Sequence, residues 1–147
     1  MPREPNLILI ADDDPEDSLF LLTVLLSMPL ELTIITVPNG ERLINILEAV
    51  SPHFIFLDIN MPRKNGFDAL KHIRSIKRSD HTTVIMCSTS SSANDIRMSQ
   101  ELGADMYVTK PTNIQNYSRL IEGIFTRDWS GKAPERIPEK MLLSHVQ

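Results

Sequence analysis

Asp12 and Asp13 follow directly on the apolar run Leu7–Ala11, and Asp58 follows directly on Phe54–Leu57. Ser88 comes immediately after Val84–Cys87, and Lys110 stands two residues beyond Met106–Val108. Three carboxylates brought to one place repel one another unless cations share the space. Lys110 supplies one positive charge, and a divalent ion would neutralise the rest. Carboxylate, carbonyl and water oxygens suit Mg2+, a hard ion that keeps much of its hydration shell. Each group alone has a plainer use. An acidic run often starts a solvated helix, an Asp after a strand often makes a turn, and a Lys before Pro is ordinary surface. It is their conjunction, each at the end of a different apolar run, that favours a site.

For these groups to meet, the apolar runs must be neighbouring strands of one sheet. Leu7–Ala11, Leu32–Val37, Phe54–Leu57, Val84–Cys87 and Met106–Val108 are short, mostly Ile-, Val-, Leu- or Phe-rich and bounded by polar residues. They read as parallel strands buried on both faces. Segments of helical period lie between them. Pro15 suits a first helical position after an Asp14 cap, with Glu16 and Asp17 favourable in the first turn. Leu19, Leu22, Leu25 and Leu26 would form its buried stripe. A second helix starts near Asn39 and buries Leu43, Ile46, Leu47 and Val50. A third follows Gly66, with Phe67, Leu70 and Ile73 inward. A fourth, near Ala93–Leu102, has only Ile96 and Leu102 as anchors, with Gly103 just past its end. A fifth runs from about Asn113 to Thr126. Five β–α repeats predict a doubly wound α/β domain. In such open sheets, ligands bind outside the carboxyl ends of the strands. That is where Asp12, Asp13, Asp58, Ser88 and Lys110 all fall.

The chain has 147 residues, 41% hydrophobic and 23% charged, with a net charge of −4. This suits one globular domain with a real core. Lys and Arg are scattered, which argues against a nucleic-acid partner. The longest apolar runs are far short of the roughly 20 residues that span a bilayer. MPREPN at the amino end lacks a signal-peptide core. Cys87 is the only cysteine, so no internal disulfide forms and a cytoplasmic location is expected. Its apolar neighbours predict a buried, inert thiol. The composition changes at Trp129. We read residues 1–128 as one domain and 129–147 as a C-terminal extension, with a short last helix around 139–145. The extension is too short for a second core.

Several stretches resemble the two-component response-regulator receiver domain. They are Asp12-Asp13, LDINMPRKNGFD (Leu57–Asp68), Ser88 after VIMC, and Tyr107-Val-Thr-Lys110-Pro111. The resemblance covers about residues 6–127. It implies a flavodoxin-like sheet of order 2-1-3-4-5 with five helices. It also implies that Asp58 accepts a phosphoryl group from a sensor histidine kinase or phosphotransfer protein. Asp13 would bind Mg2+ directly, Asp12 directly or through water, and Asn60 through its backbone carbonyl. Ser88 and Lys110 would hold phosphoryl oxygens, and Tyr107 would be the switch aromatic, swinging inward on phosphorylation. The surface of helix 4, strand 5 and helix 5 would then carry the output. Pro62 and Gly66 would shape the loop after Asp58, Gly66 as a permissive turn residue. Pro111 would make a cis peptide that aims Lys110 inward. The stretch STSSSANDIRMSQELGADMYVTKP further resembles stand-alone receivers that partner bacterial phytochrome-type kinases. The protein would be no enzyme beyond weak autodephosphorylation. A homodimer is compatible with this reading.

Two departures stand out. Ser88 replaces the commoner Thr, keeping the hydroxyl. The acidic run is three long, so Asp13 with Asp14 is an alternative register. Three other functions compete. A haloacid-dehalogenase-type phosphatase wants a second Asp two residues after the nucleophile, where this chain has Asn60. A receiver-like scaffold without phosphorylation would have lost part of the acidic, hydroxyl and Lys set. A nucleotide-binding flavodoxin-like protein would carry a Gly-rich phosphate loop, and none is present.

Overall fold

The computed structural model describes residues 7–76, 79, 81–127 and 129. The apolar runs form five strands: β1 (Leu7–Ala11), β2 (Thr33–Val37), β3 (Phe54–Asp58), β4 (Thr83–Ser88) and β5 (Met106–Thr109). They pair in parallel in the order β2-β1-β3-β4-β5, the flavodoxin-like order expected. Helices α1 (Pro15–Leu26), α2 (Gly40–Leu47), α3 (Gly66–Ser75), α4 (Ala93–Glu101) and α5 (Ile114–Thr126) alternate with them. α1 packs beside α5 and α2 beside α3, which covers the sheet with helices.

The helix starts are set by short polar side chains. Asp14, Asn39, Asn65, Ser92 and Asn113 each precede a helix and accept a backbone N–H from its first turn. This satisfies donors that the helix itself cannot use. β3 and β4 are buried along their whole length, as expected of central parallel strands. β2 is not. It forms the sheet edge, and Thr33 and Thr36 are exposed.

α1 also departs from expectation. Its buried residues are Leu21, Val24 and Leu25, whereas Leu19 and Leu26 are 59% and 65% exposed. The helix is leucine-rich nearly all round, so its own pattern does not fix the inward face. Packing does. Phe20 meets Tyr117 of α5 edge-on, with ring centroids 5.5 Å apart. That orientation turns Leu19 and Leu26 outward.

α4 is held by few groups, as its sequence suggests: Ile96 and Ser99 are its buried residues. Gly103 follows it with φ +102°, the left-handed conformation glycine adopts without penalty. The α3 side chain of Arg74 braces this end of the sheet. It donates to the carbonyls of Gly103, Ser79 and Thr82 and pairs with Asp105 at 2.7 Å. Trp129 Nε1 donates to the Ile124 carbonyl, and its ring stands edge-on to Phe54 at the start of β3. The helix expected around 139–145, with the rest of the extension, lies outside the described residues.

Candidate functional site

The register of the parallel strands determines which groups meet. Ala11 lies beside Leu57 and Asp58 beside Cys87. Ser88 lies beside Thr109. Asp12, Asp58, Ser88 and Lys110 therefore emerge together at the carboxyl edge of β1, β3, β4 and β5. Carboxylate oxygens of Asp12, Asp13 and Asp58 all lie within 4.8 Å of one another. Asp12 and Asp58 are buried, and Asp13 is exposed. A groove of about 310 Å³ runs from Asp12 and Asp13 past Pro15, Leu19 and Leu22 to Pro38.

Each carboxylate is tied differently. Asp12 Oδ1 accepts the Asp14 N–H at 3.0 Å, and its Oδ2 accepts from Lys110 Nζ at 2.8 Å. Asp58 Oδ1 accepts its neighbour's N–H, from Ile59, at 2.8 Å. Its Oδ2 faces Lys110 Nζ at 3.6 Å. Asp14 turns away and caps α1 through the Glu16 and Asp17 amides. The cluster is thus built from Asp12 and Asp13, not from Asp13 and Asp14.

Burial in the crowded edge governs the electrostatics. It pushes the Asp58 carboxyl up to about 6, Lys110 pulls it down, and the Asp12 charge adds to the rise. Burial disfavours the Lys110 ammonium, but hydrogen bonds to Asp12 and Asp17 outweigh it and hold the group above its usual range. Three clustered carboxylates with an exposed opening through Asp13 fit a hard, oxygen-liganded divalent cation. Asp12, with both oxygens engaged, suits an outer or shared ligand; Asp13 is the open one.

The remaining expected residues are placed as follows. Ser88 is buried; its hydroxyl accepts the Ser90 N–H at 3.1 Å, and its carbonyl accepts the Lys110 N–H at 2.8 Å. Asn60 and Pro62 are exposed in the loop after β3. Tyr107 does not stand outward awaiting a signal. Its ring is buried, and its hydroxyl donates to the Ser90 carbonyl at 2.7 Å. Burial pushes the Cys87 thiol up to about 12, in line with an inert core cysteine.

Two expectations about the loops are corrected. There is no cis peptide among the described residues, so the bond before Pro111 is trans. Lys110 reaches the carboxylates regardless, because the end of β5, tied to Ser88, already directs it there. Gly66 is not a left-handed turn residue. The positive φ values of that loop belong to Arg63 (56°) and Lys64 (105°). Gly66 matters by close approach: a Cβ there would lie 2.2 Å from the Asp58 carbonyl oxygen. Gly40 is similar, since its Cβ would lie 2.2 Å from the Lys64 carbonyl oxygen. The loop is thus pinned between the two glycines.

One site residue escaped the sequence reading. Asp17, taken there as a helix-dipole residue, bonds Lys110 Nζ at 2.9 Å. The available signal was its position in the first turn of α1, which the Asp14 cap holds over the carboxyl edge.

Residues 8–122 match the sequence profile of the response regulator receiver domain. The transcriptional regulatory protein CpxR of Escherichia coli K12 is 38% identical over 129 residues, 85% of this chain and 52% of CpxR. The chain thus spans about half the length of that curated relative. Response regulator Rcp1 of Synechocystis is 27% identical over 127 residues, 82% of this chain and 86% of Rcp1. A crystal structure of the Mn2+-bound form of Rcp1 superposes with a TM-score of 0.75 at 25% identity, over 88% of this chain and 98% of that one. The phosphorylated cyanobacterial phytochrome response regulator RcpA superposes with a TM-score of 0.78 at 25% identity, over 89% and 98%.

Proposed function

The chain belongs to the response regulator receiver domain family, and on that premise we propose that Asp58 accepts a phosphoryl group in a Mg2+-dependent reaction. Receiver domains take such groups from histidine kinases or phosphotransfer proteins. The observation that carries the reading is the position of Asp58. It ends β3 beside Asp12 and Asp13, with one oxygen held by the Ile59 amide and the other turned to Lys110 at 3.6 Å.

A carboxylate is a nucleophile without a general base. With a pKa near 6, Asp58 is mainly ionised at neutral pH, yet more basic than an ordinary aspartate. Its free oxygen attacks the phosphorus of a phosphohistidine. The new P–O bond forms as the P–N bond breaks, and imidazole leaves with the electron pair. Lys110 meets charge on one phosphoryl oxygen and the Ser88 hydroxyl donates to another. Positioning and charge neutralisation are most of what this transfer asks of a protein. Asp12, Asp13, Asp58 and the Asn60 carbonyl would hold the cation, which when bound offsets the negative charge of the incoming group. Gly66 and Pro62 fix the loop that presents Asn60. Loss of the group to water would be weak and uncatalysed by any further carboxylate, because Asn60 and Ser90 stand two positions past Asp58 and Ser88.

The output surface we assign is α4, β5 and α5, with Tyr107 and the Ser90 carbonyl linking it to Ser88. A target, the donor kinase or a second copy of the chain would read it. No described helix is long and apolar enough to cross a membrane. The cytoplasm, where such donors expose their phosphohistidines, is the compartment we assign. Residues 1–128 form the functional unit in this reading, with 129–147 as an appendage.

Incubation with acetyl phosphate and Mg2+ tests the proposal by intact mass. One added phosphate is expected with Mg2+, none with a chelator, and none in Asp58→Asn. Undiminished labelling of Asp58→Asn would reject it.

A further inference from the structure

Among the described residues Lys110 is the one ammonium at this site, and one of its two near partners, Asp17, lies outside the expected cluster. Its Nζ bonds Asp12 at 2.8 Å and Asp17 at 2.9 Å, while Asp58 is farther, at 3.6 Å. An ammonium has three N–H donors. Two are taken by carboxylates on the β1–α1 side. The Lys110 side chain is 10% exposed, so water has little part in satisfying the third. Asp17 is more open, at 36%. It is also the carboxylate the cluster does not need for neutrality. Asp12, Asp13 and Asp58 are balanced by Lys110 and one divalent cation; Asp17 adds a negative charge beyond that balance.

The geometry points to Asp17 as a positioning residue that holds Lys110 toward α1 and competes with the Asp58 phosphoryl site for its ammonium. The inference rests on the phosphoacceptor reading above and deepens it. A phosphoryl group on Asp58 brings three oxygens that share nearly two negative charges and attract an ammonium more strongly than a carboxylate does. Lys110 must then give up or lengthen a bond to reach them. Asp12 is fixed by the Asp14 amide and by its place next to β1. Asp17 sits one turn along α1 and is more exposed, and among the described residues its carboxylate bonds Lys110 alone, so its bond is the one to yield. Asp17 thus weakens phosphoryl binding in the resting protein, and Lys110 is released from α1 when the group arrives.

Beryllofluoride stands in for the phosphoryl group, and its affinity for the full chain in saturating Mg2+ is the readout. Asp17→Asn keeps the shape and an acceptor but removes the charge. It should tighten beryllofluoride binding about three- to tenfold, as expected for loss of one charge-assisted competitor. Asp17→Glu should restore wild-type affinity. Because any lost negative charge favours an anion, the decisive comparison is made in a Lys110→Ala background. There Asp17→Asn should change affinity much less, since its effect passes through the ammonium. An equal gain with and without Lys110 would overturn the inference and leave only a general field effect. No gain in the Lys110-containing protein, with wild-type binding intact, would also overturn it while sparing the phosphoacceptor reading. Absence of any beryllofluoride binding by the wild-type chain in Mg2+ would overturn both together.

Discussion

Asp58 carries two demands that oppose each other. As the proposed phosphoryl acceptor it would need to be ionised to attack phosphorus and to help hold a cation, yet it is buried beside a second carboxylate. Burial and the Asp12 charge raise its carboxyl to about 6 against an ordinary 3.8, and Lys110 only partly offsets them. A raised carboxyl means that the folded state holds the proton more tightly than the unfolded chain. The stability this gives is fully present below about pH 4 and is lost as pH rises through about 6. The metal-free protein should therefore weaken between those values. Asp58→Asn lacks the charge and should be more stable than wild type at neutral pH, by on the order of 2–3 kcal/mol. The gap should close near pH 4. Urea unfolding of both proteins in chelator across that range checks this, and a gap independent of pH would contradict it. The meeting of Asp12, Asp13, Asp58 and Lys110 was legible because each directly ends, or nearly ends, an apolar run. Asp17 was not. Its residue type fits a helix start equally well, and only the reach of Lys110 across 93 positions gives its carboxylate a partner.

At the scale of elements, the site depends on backbone contacts that no motif announces. Gly66 lets α3 start against the carbonyl of Asp58 itself. Its amide also donates to the Ile59 carbonyl at 2.8 Å, so the loop closes on its own entrance. Gly66→Ala must move either α3 or Asp58. A cost of about 1–3 kcal/mol is expected for such overpacking. Phosphorylation by acetyl phosphate should slow by about tenfold or more, because small displacements of a reacting group are costly. Thermal unfolding and labelling rates measure both, and a fully active Gly66→Ala protein would show that the close approach is dispensable. Tyr107 poses a different case. Its bond to the Ser90 carbonyl joins β5 to the loop before α4. Tyr107→Phe keeps the ring and loses the donor. Amides of the loop at 89–92 should exchange faster, with a global loss of about 1 kcal/mol. Unchanged exchange there would mean the hydroxyl does not hold the loop. The element boundaries followed from apolar runs and caps, but the inward face of α1 did not. Seven of its twelve residues are Leu, Val or Phe, and only contact with α5 chooses among them.

At the scale of the whole molecule, the fold is a device for bringing distant short segments to one edge. Asp12, Asp58, Ser88 and Lys110 are separated by tens of residues, and a single parallel register aligns them. That alignment could be read in advance because parallel strands joined by helices all end on the same side. The conformation around Tyr107 could not. Whether Tyr107 lies in or out depends on a difference of a few kcal/mol between packed states, which no local pattern encodes. The central claim is that Asp58, and neither Asp12 nor Asp13, becomes the acyl phosphate. Borohydride reduces an aspartyl phosphate to homoserine and leaves free carboxylates alone. After treatment with acetyl phosphate and Mg2+, then borohydride and proteolysis, peptide sequencing by mass spectrometry should find homoserine at position 58 only. Homoserine at position 12 or 13, or at no position in a protein that carries phosphate, would contradict the account.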